Sequence, residues 1–421
     1  MKKSLLILAL FFSAVSLIFS GGFSLFEGSA RAVGMGESFV AVADDLSALF
    51  YNPGGAAFYE GMGFSVGGFL IFPSTEFTGA NPYPGEGVEE TAVSQTFLIP
   101  NFYFGKKLGK RIFLGMGLSV PFGLGVKWDE KWSGRYITTN TEVQAIDLTP
   151  TLAIKVSENI GIAASFIYRN SKLYNDQMIP FINPLNLAVI DVAKLHLESN
   201  MSHGTGFRLG TLLKFNKFNF GVMYSSKITI DYEGDAEFKL ISTGNPLLDA
   251  MIASKFPSKA TGKTSLVFPS MVSGGFSTTI FEGFLFTASV DYMKWSQYNE
   301  LKIEFEDYPM FSKTVEKHYR DTYTFRFGVE KKVSDKFTIR AGYYYDQGAP
   351  ELVSLGPDLP DSDKHGITFG ISYKIGKTII DFGNSIVLFK DISTEGMNED
   401  NFNGTYKSYA FISGVNLRFN F

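Results

Sequence analysis

The chain ends Val415-Asn416-Leu417-Arg418-Phe419-Asn420-Phe421. Apolar side chains take every odd position and polar ones every even position. A period of two puts the two sets on opposite faces of a β-strand. The pattern recurs upstream. Tyr323, Phe325, Phe327 and Val329 oppose Thr324, Arg326, Gly328 and Glu330. Ile367, Phe369, Ile371 and Tyr373 oppose Thr368, Gly370, Ser372 and Lys374, and Phe207 and Leu209 flank Arg208. Each stretch runs about ten residues, enough to cross a bilayer when tilted.

The connections between these stretches are unequal. Short polar turns fall at Leu108–Arg111, Ser157–Asn159, Asn216–Lys217, Phe281–Gly283, Val333–Lys336 and Gly376–Lys377. Longer segments occupy roughly residues 73–93, 122–141, 171–204, 233–262, 306–317, 348–363 and 391–402. Six short and seven long connections join fourteen strands, and an even count with alternating loop lengths is the pattern of an outer-membrane barrel. The fold class expected is all-β, a fourteen-stranded antiparallel transmembrane β-barrel. Aromatic clusters at Tyr292, Trp295, Tyr298 and at Tyr343–Tyr345 read as interfacial girdles. Two loop segments, Asn186–Glu198 and Pro246–Phe256, read as partly helical and apolar; they either pack on each other or on the barrel rim, or form a landing surface for an apolar ligand.

Composition agrees with a membrane barrel. The 421 residues are 15% aromatic and only 19% charged, below the ~25% usual for soluble domains. A net charge of −4 offers no basic field for nucleic acid, and the lack of cysteine excludes disulfides and thiolate chemistry. Lys2, Lys3 and the apolar run Leu5–Phe19 read as an export signal over residues 1–20, since fifteen apolar residues are too few to span a bilayer as a helix. Residues 21–60 do not alternate and are rich in Gly and Ala. Backbone of that kind cannot face lipid, so it is expected inside the lumen as a plug, with the barrel over 61–421.

No motif points to catalysis. Gly63-Phe64-Ser65-Val66-Gly67 matches the nucleophile elbow, but it lies in a strand without the strand–turn–helix setting. His196, His203, His318 and His365 are dispersed, Asp44 and Asp45 are adjacent and point apart, and no metal-ligand spacing stands out. No cofactor is expected. By parity, Lys155 shares a face with Thr149, Thr151 and Ala153, and Arg320 with Thr322, Thr324 and Arg326. Both are expected to point into the lumen, either as wall charges or as partners of a ligand carboxylate.

Three N-terminal stretches carry a family resemblance: Gly22-Phe23, Gly28-Ser29-Ala30-Arg31-Ala32-Val33-Gly34-Met35-Gly36, and Asp44-Asp45-Leu46-Ser47-Ala48-Leu49-Phe50-Tyr51-Asn52-Pro53-Gly54-Gly55. Together they resemble the hatch of FadL-type outer-membrane transporters of long-chain fatty acids and other hydrophobes, with Gly54 where that family has Ala. Val120-Pro121-Phe122-Gly123-Leu124-Gly125 with Trp132-Ser133-Gly134-Arg135-Tyr136, Thr149–Val156, Lys294–Tyr298, Arg320-Asp321-Thr322-Tyr323 and Arg340–Gln347 resemble later segments in the same order.

The resemblance implies a hatch involving Phe23, Asn52, Pro53 and Gly54. It implies capture between the long loops, an internal apolar pocket, and sideways exit near the third strand. Pro121 cannot donate a ladder hydrogen bond there. The expected function is passive uptake of hydrophobic molecules, long-chain fatty acids foremost, by a monomer embedded in outer-membrane lipid. The expected ligand contacts are Phe23, Arg320 and Lys155. The rivals are a general polar porin, a lipase or esterase acting through Ser65, and a structural or adhesion barrel.

Overall fold

The computed structural model describes residues 22–184 and 186–421. The export signal expected over 1–20 lies outside the described residues.

Fourteen strands form the wall: β1 (Met62–Gly79), β2 (Phe97–Leu108), β3 (Ile112–Lys127), β4 (Asn140–Lys155), β5 (Ile160–Ile182), β6 (Ser202–Phe215), β7 (Phe218–Ser225), β8 (Met271–Thr278), β9 (Phe284–Met293), β10 (Thr322–Lys332), β11 (Phe337–Asp346), β12 (Lys364–Ile375), β13 (Thr378–Phe389) and β14 (Gly404–Asn420). Each pairs antiparallel with the next. The ring closes where β1 meets β14, in continuous register from Gly63↔Asn420 to Gly79↔Gly404. Closure pairs the first strand with the last, so the sheet has no free end strand to expose to the bilayer. Alternation sorts the side chains: Val66, Phe102, Phe104, Leu114 and Leu148 are exposed on the outside, whereas Ser65, Asn101, Asp147, Thr149 and Asn416 are buried within.

The wall is open between β2 and β3. β2 and β3 pair only from Phe102↔Leu118 down to Leu108↔Ile112. Above this, β2 pairs with β1 alone and β3 with β4 alone. The register of β3 on β4 shifts between Ser119 and Phe122, so three steps along β3 match two along β4. This one-residue bulge flips the facing, and Ser119 and Phe122 are both buried despite their odd spacing. Val93 N donates to Lys127 O (2.7 Å) above the resulting gap.

Residues 22–60 fill the lumen as a hatch. It contains α1 (Ala30–Val33), capped by Ser29, then α2 (Ala48–Tyr51) and a 3-10 turn Pro53–Phe58 capped by Asn52. Glycines let it lie against the wall. A Cβ on Gly342 of β11 would stand 2.1 Å from Gly36 N, and Gly36 itself has φ +62.

Ion pairs tie hatch to wall. Arg31 reaches Asp44 (2.5 Å), Asp45 (3.2 Å) and Glu330 of β10 (2.9 Å). Arg340 shares Glu330 (2.6 Å), and Arg418 of β14 reaches Asp45 (3.1 Å) and Asp381 (2.5 Å). Arg326 pairs with Glu37 of the hatch and with Asp291 (2.7 Å).

The long loops differ from expectation in one respect. Asn186–Glu198 is not helical, because Val189–Ser199 is a strand. It pairs with the extended top of β5 on one side and with Ile228–Leu240 on the other. Lys259–Phe268, Glu300–Glu304 and Lys313–Glu316 continue this outer sheet. Both faces of the Val189 strand carry buried residues, Val192 and Ala193 side by side, so its apolar spacing mimics a helix. The second segment does form a helix, α3 (Pro246–Ala253), capped by Asn245.

Candidate functional site

Two chambers meet at Phe23. Its ring packs edge-on against Trp295 (4.9 Å), Phe122 (5.9 Å), Tyr298 (6.0 Å) and Phe268 (6.1 Å). Trp295 and Tyr298 are therefore not girdle residues as expected. After β9 ends, the 3-10 turn Trp295–Gln297 carries both into the interior, where they are buried.

The outer chamber, about 390 Å³, lies between Phe23 and the long loops, with Leu173, Leu266, Leu301 and Tyr319 among its walls. The inner chamber, about 510 Å³, runs from Phe23, Leu25 and Phe26 of the hatch toward Ile99 and Phe122 of the wall. Both are the size of small-molecule sites and are lined mainly by apolar groups. The inner chamber also reaches Leu98 of β2 and Ile146 of β4. These face outward, and Leu98 is 68% exposed. The cavity therefore extends through the gap between β2 and β3 to the lipid-facing surface.

The hatch lines that gap. Ser24 bridges Phe122, Leu25 N donates to Pro121 O (2.9 Å), and Gly123 N donates to Phe23 O (3.0 Å). Pro121 thus sits at the bulge, where the wall turns its hydrogen bonding from β2 to the hatch. At the opposite end Asn52 is fully buried. Its Nδ2 donates to Val40 O (2.7 Å) and Thr211 O (3.0 Å), and its Oδ1 accepts from Gly54 N (3.0 Å). Pro53 starts the 3-10 turn, and Gly54 lies so close to β6 that a Cβ would stand 2.8 Å from Gly210 and Thr211.

The two cations picked out by parity lie elsewhere. Lys155, at the short-turn end of β4, pairs with Glu158 (2.5 Å) and stands 6.0 Å from the Phe58 ring; it lines neither chamber. β10 begins only at Thr322, so its parity cannot be extended back. Tyr319 points into the outer chamber, while Arg320 donates to Gly348 O (3.3 Å) at the rim. Ser65 is buried within β1, and Asn416 Nδ2 donates to its hydroxyl (3.5 Å).

Sequence reading missed Lys317, which lines the outer chamber and pairs with Asp358 (3.0 Å) from the following long loop. Burial opposes the Lys317 charge, but Asp358, Tyr298 and Tyr319 together more than offset it and hold the ammonium above its ordinary range. Burial likewise opposes the Asp358 charge, and Lys317 draws its carboxyl below the usual value. Asp358 therefore contributes stability that is full above its unfolded value of 3.8 and lost only as pH falls through the lower folded value. Lys317 contributes stability that is full below 10.5 and lost only as pH climbs through the higher folded value. Proteolysis of loop 348–363 is thus expected to be unchanged between about pH 5 and pH 9. A release of the loop inside that window would contradict the pairing.

Three comparisons place this architecture. The model of the family described as outer membrane protein transport protein (OMPP1/FadL/TodX) matches residues 12–421. The long-chain fatty acid transport protein of Escherichia coli is 24% identical, with 97% of each chain covered. The 47 kDa outer membrane protein of Pasteurella multocida is 26% identical, with 96% of this chain and 94% of that protein covered. Among solved structures, a Pseudomonas aeruginosa FadL homologue superposes with TM-score 0.81 at 20% identity, covering 96% of this chain and 99% of that one. The toluene transporter TodX of P. putida superposes with TM-score 0.70 at 18% identity, covering 90% and 94%. A hatched fourteen-stranded barrel matched by one family model over nearly its whole length makes this chain an outer-membrane protein that belongs to the OMPP1/FadL/TodX family of hydrophobic-compound transporters.

Proposed function

We propose that the chain takes up hydrophobic molecules passively, with long-chain fatty acids as the leading cargo class. Cargo enters the outer chamber between the long loops, passes Phe23 into the inner chamber, and leaves sideways through the gap between β2 and β3. The observation that carries this reading is the continuity of the inner chamber, from the hatch to lipid-facing Leu98 and Ile146. Fatty acids lead because the E. coli relative is named for transporting them, while the TodX structure is named for toluene.

No energy source is needed. Each methylene buried in an apolar path gains ~0.8 kcal/mol, and lipid at the exit offers the same environment as the chamber. Phe23 acts as the divider, Asn52, Pro53 and Gly54 anchor the base of the hatch, and Pro121 holds the exit open. Lys155 and Arg320 organise the two rims. Residues 1–20 act as the export signal, and the closed barrel works as a monomer.

The test is mass spectrometry of lipid extracted from the purified protein, paired with uptake of a long-chain fatty acid by a deletion strain. Hydrophobic cargo is expected to copurify, and uptake is expected to fall on deletion. Unchanged uptake with large ion conductance in planar bilayers would favour the polar porin instead. The Ser65→Ala variant is expected to transport normally.

A further inference from the structure

The arginines buried among the described residues are matched by carboxylates, with one exception. Arg31 has Glu330 within 4 Å, Arg169 has Asp147, Arg326 has Asp291 and Arg340 has Glu330. Arg208 of β6 is only 3% exposed and has none among the described residues. Its Nη1 donates to Leu49 O of the hatch (3.0 Å), and its guanidinium stands 5.5 Å from the Phe50 ring. Nε is closed off without a hydrogen-bond partner. Nη2 has no partner either, but it is not closed off, and the side chain lines a small cavity between hatch and wall.

Nearby charges do not balance Arg208. Asp147 of β4 is taken by Arg169 through two bonds, from Nε to Oδ1 (2.7 Å) and from Nη2 to Oδ2 (2.8 Å). Two guanidiniums therefore share one carboxylate at this end of the cavity. The groups close enough to act on the Arg208 charge are Asp147, Arg169 and the phenol of Tyr103. Glu37 and Asp291 line the far end, where both are held by Arg326, and neither acts on Arg208. A buried lysine could shed its proton, but a guanidinium cannot. Since an uncompensated buried charge is strongly unfavourable, this arginine calls for an added counter-ion.

The cavity, about 40 Å³, has room for one halide-sized ion or a water or two, and is far too small for cargo. Water would satisfy the free N–H groups but not the charge. Ser225 of β7 pairs with Arg208 across the ladder and adds a hydroxyl to the cavity. Ser273 of β8 stands opposite Asp291 and so belongs to the acidic end.

We propose that this cavity binds one small monovalent inorganic anion, of the size and charge of chloride, on Arg208 and Ser225, and that the anion clamps the hatch to the wall through the Arg208 bond to Leu49. Arg208 and Ser225 line neither cargo chamber, so the inference stands apart from the reading of cargo.

Crystals of the full chain grown in bromide are expected to show an anomalous peak within hydrogen-bond reach of Arg208 Nη2. In solution the unfolding midpoint is expected to lie about 3 °C or more higher in chloride than in gluconate at equal ionic strength, gluconate being too large for the cavity. Arg208→Met is expected to remove both the peak and the difference between the salts, whereas Arg31→Ala should lower the midpoint in both salts alike. A map with only water at this place, or a native midpoint indifferent to halide, overturns the proposal. So does a halide effect that survives Arg208→Met. Should Arg208→Met not fold, the bromide map and the two salts on the native chain decide the matter.

Discussion

Deletion of Pro121 alone is expected to cut uptake of hydrophobic cargo at least tenfold while leaving the barrel folded. The bulge contains one extra residue, between Ser119↔Asp147 and Phe122↔Ala145. Removing one residue lets β3 run in step with β4, and alternation is kept because Ser119 and Phe122 already face inward. A straight β3 would lie beside Phe97–Asn101 of β2, whose β3-facing edge is unpaired. The hatch bond from Leu25 N to Pro121 O would go with the residue. Pro121→Ala is expected to do far less, since the extra residue and the register shift remain. Radiolabelled cargo uptake, with heat-dependent gel mobility as the check on folding, separates the two. Undiminished uptake by a folded deletion variant would rule out exit through this gap.

Arg31→Ala is expected to destabilise the protein by about 3–5 kcal/mol, the range for removing one partner of a buried ion pair. Arg31 is buried and joins Asp44, Asp45 and Glu330. Its loss leaves Asp45 to Arg418 alone and Glu330 to Arg340 alone. The cost falls on the contact between hatch and wall, so raised ion conductance should accompany the lower midpoint in denaturant unfolding. Arg31→Lys keeps the charge but loses the planar fork, and should recover only part of the loss. A midpoint shift too small to register would show that the hatch is held by packing rather than by these charges.

The barrel could be read from the chain because its two solvents differ. Lipid outside and polar contacts inside impose strict alternation, as in Leu417–Phe421, and the unequal turns then count the strands. The hatch was legible by contrast, as the segment that breaks the alternation. The contacts that hold it were not. Arg31 meets Glu330 and Asp45 meets Arg418 across more than 290 residues, and no local pattern records such pairs. Parity also failed where strands bend. At Ser119–Phe122 the facing switches, and before Thr322 the strand has not begun, so Arg320 was assigned the place that Tyr319 occupies. The outer sheet was misread at Val189–Ser199, because a strand covered on both faces loses the period that identifies it.

The seam where the first strand meets the last is also a place where the wall holds the plug. β14 touches the hatch directly, through the Asn416 side chain that accepts from Ala30 N (2.8 Å) and through Arg418 on Asp45. β1 starts two residues beyond the hatch. Pairing the amino-terminal with the carboxy-terminal strand thus closes the cylinder at the place where the wall also grips its stopper. Chains cut short of β14 would lack both the last stave and the grips of Asn416 and Arg418 on the plug, so loss of the stopper and loss of the closed pore should go together.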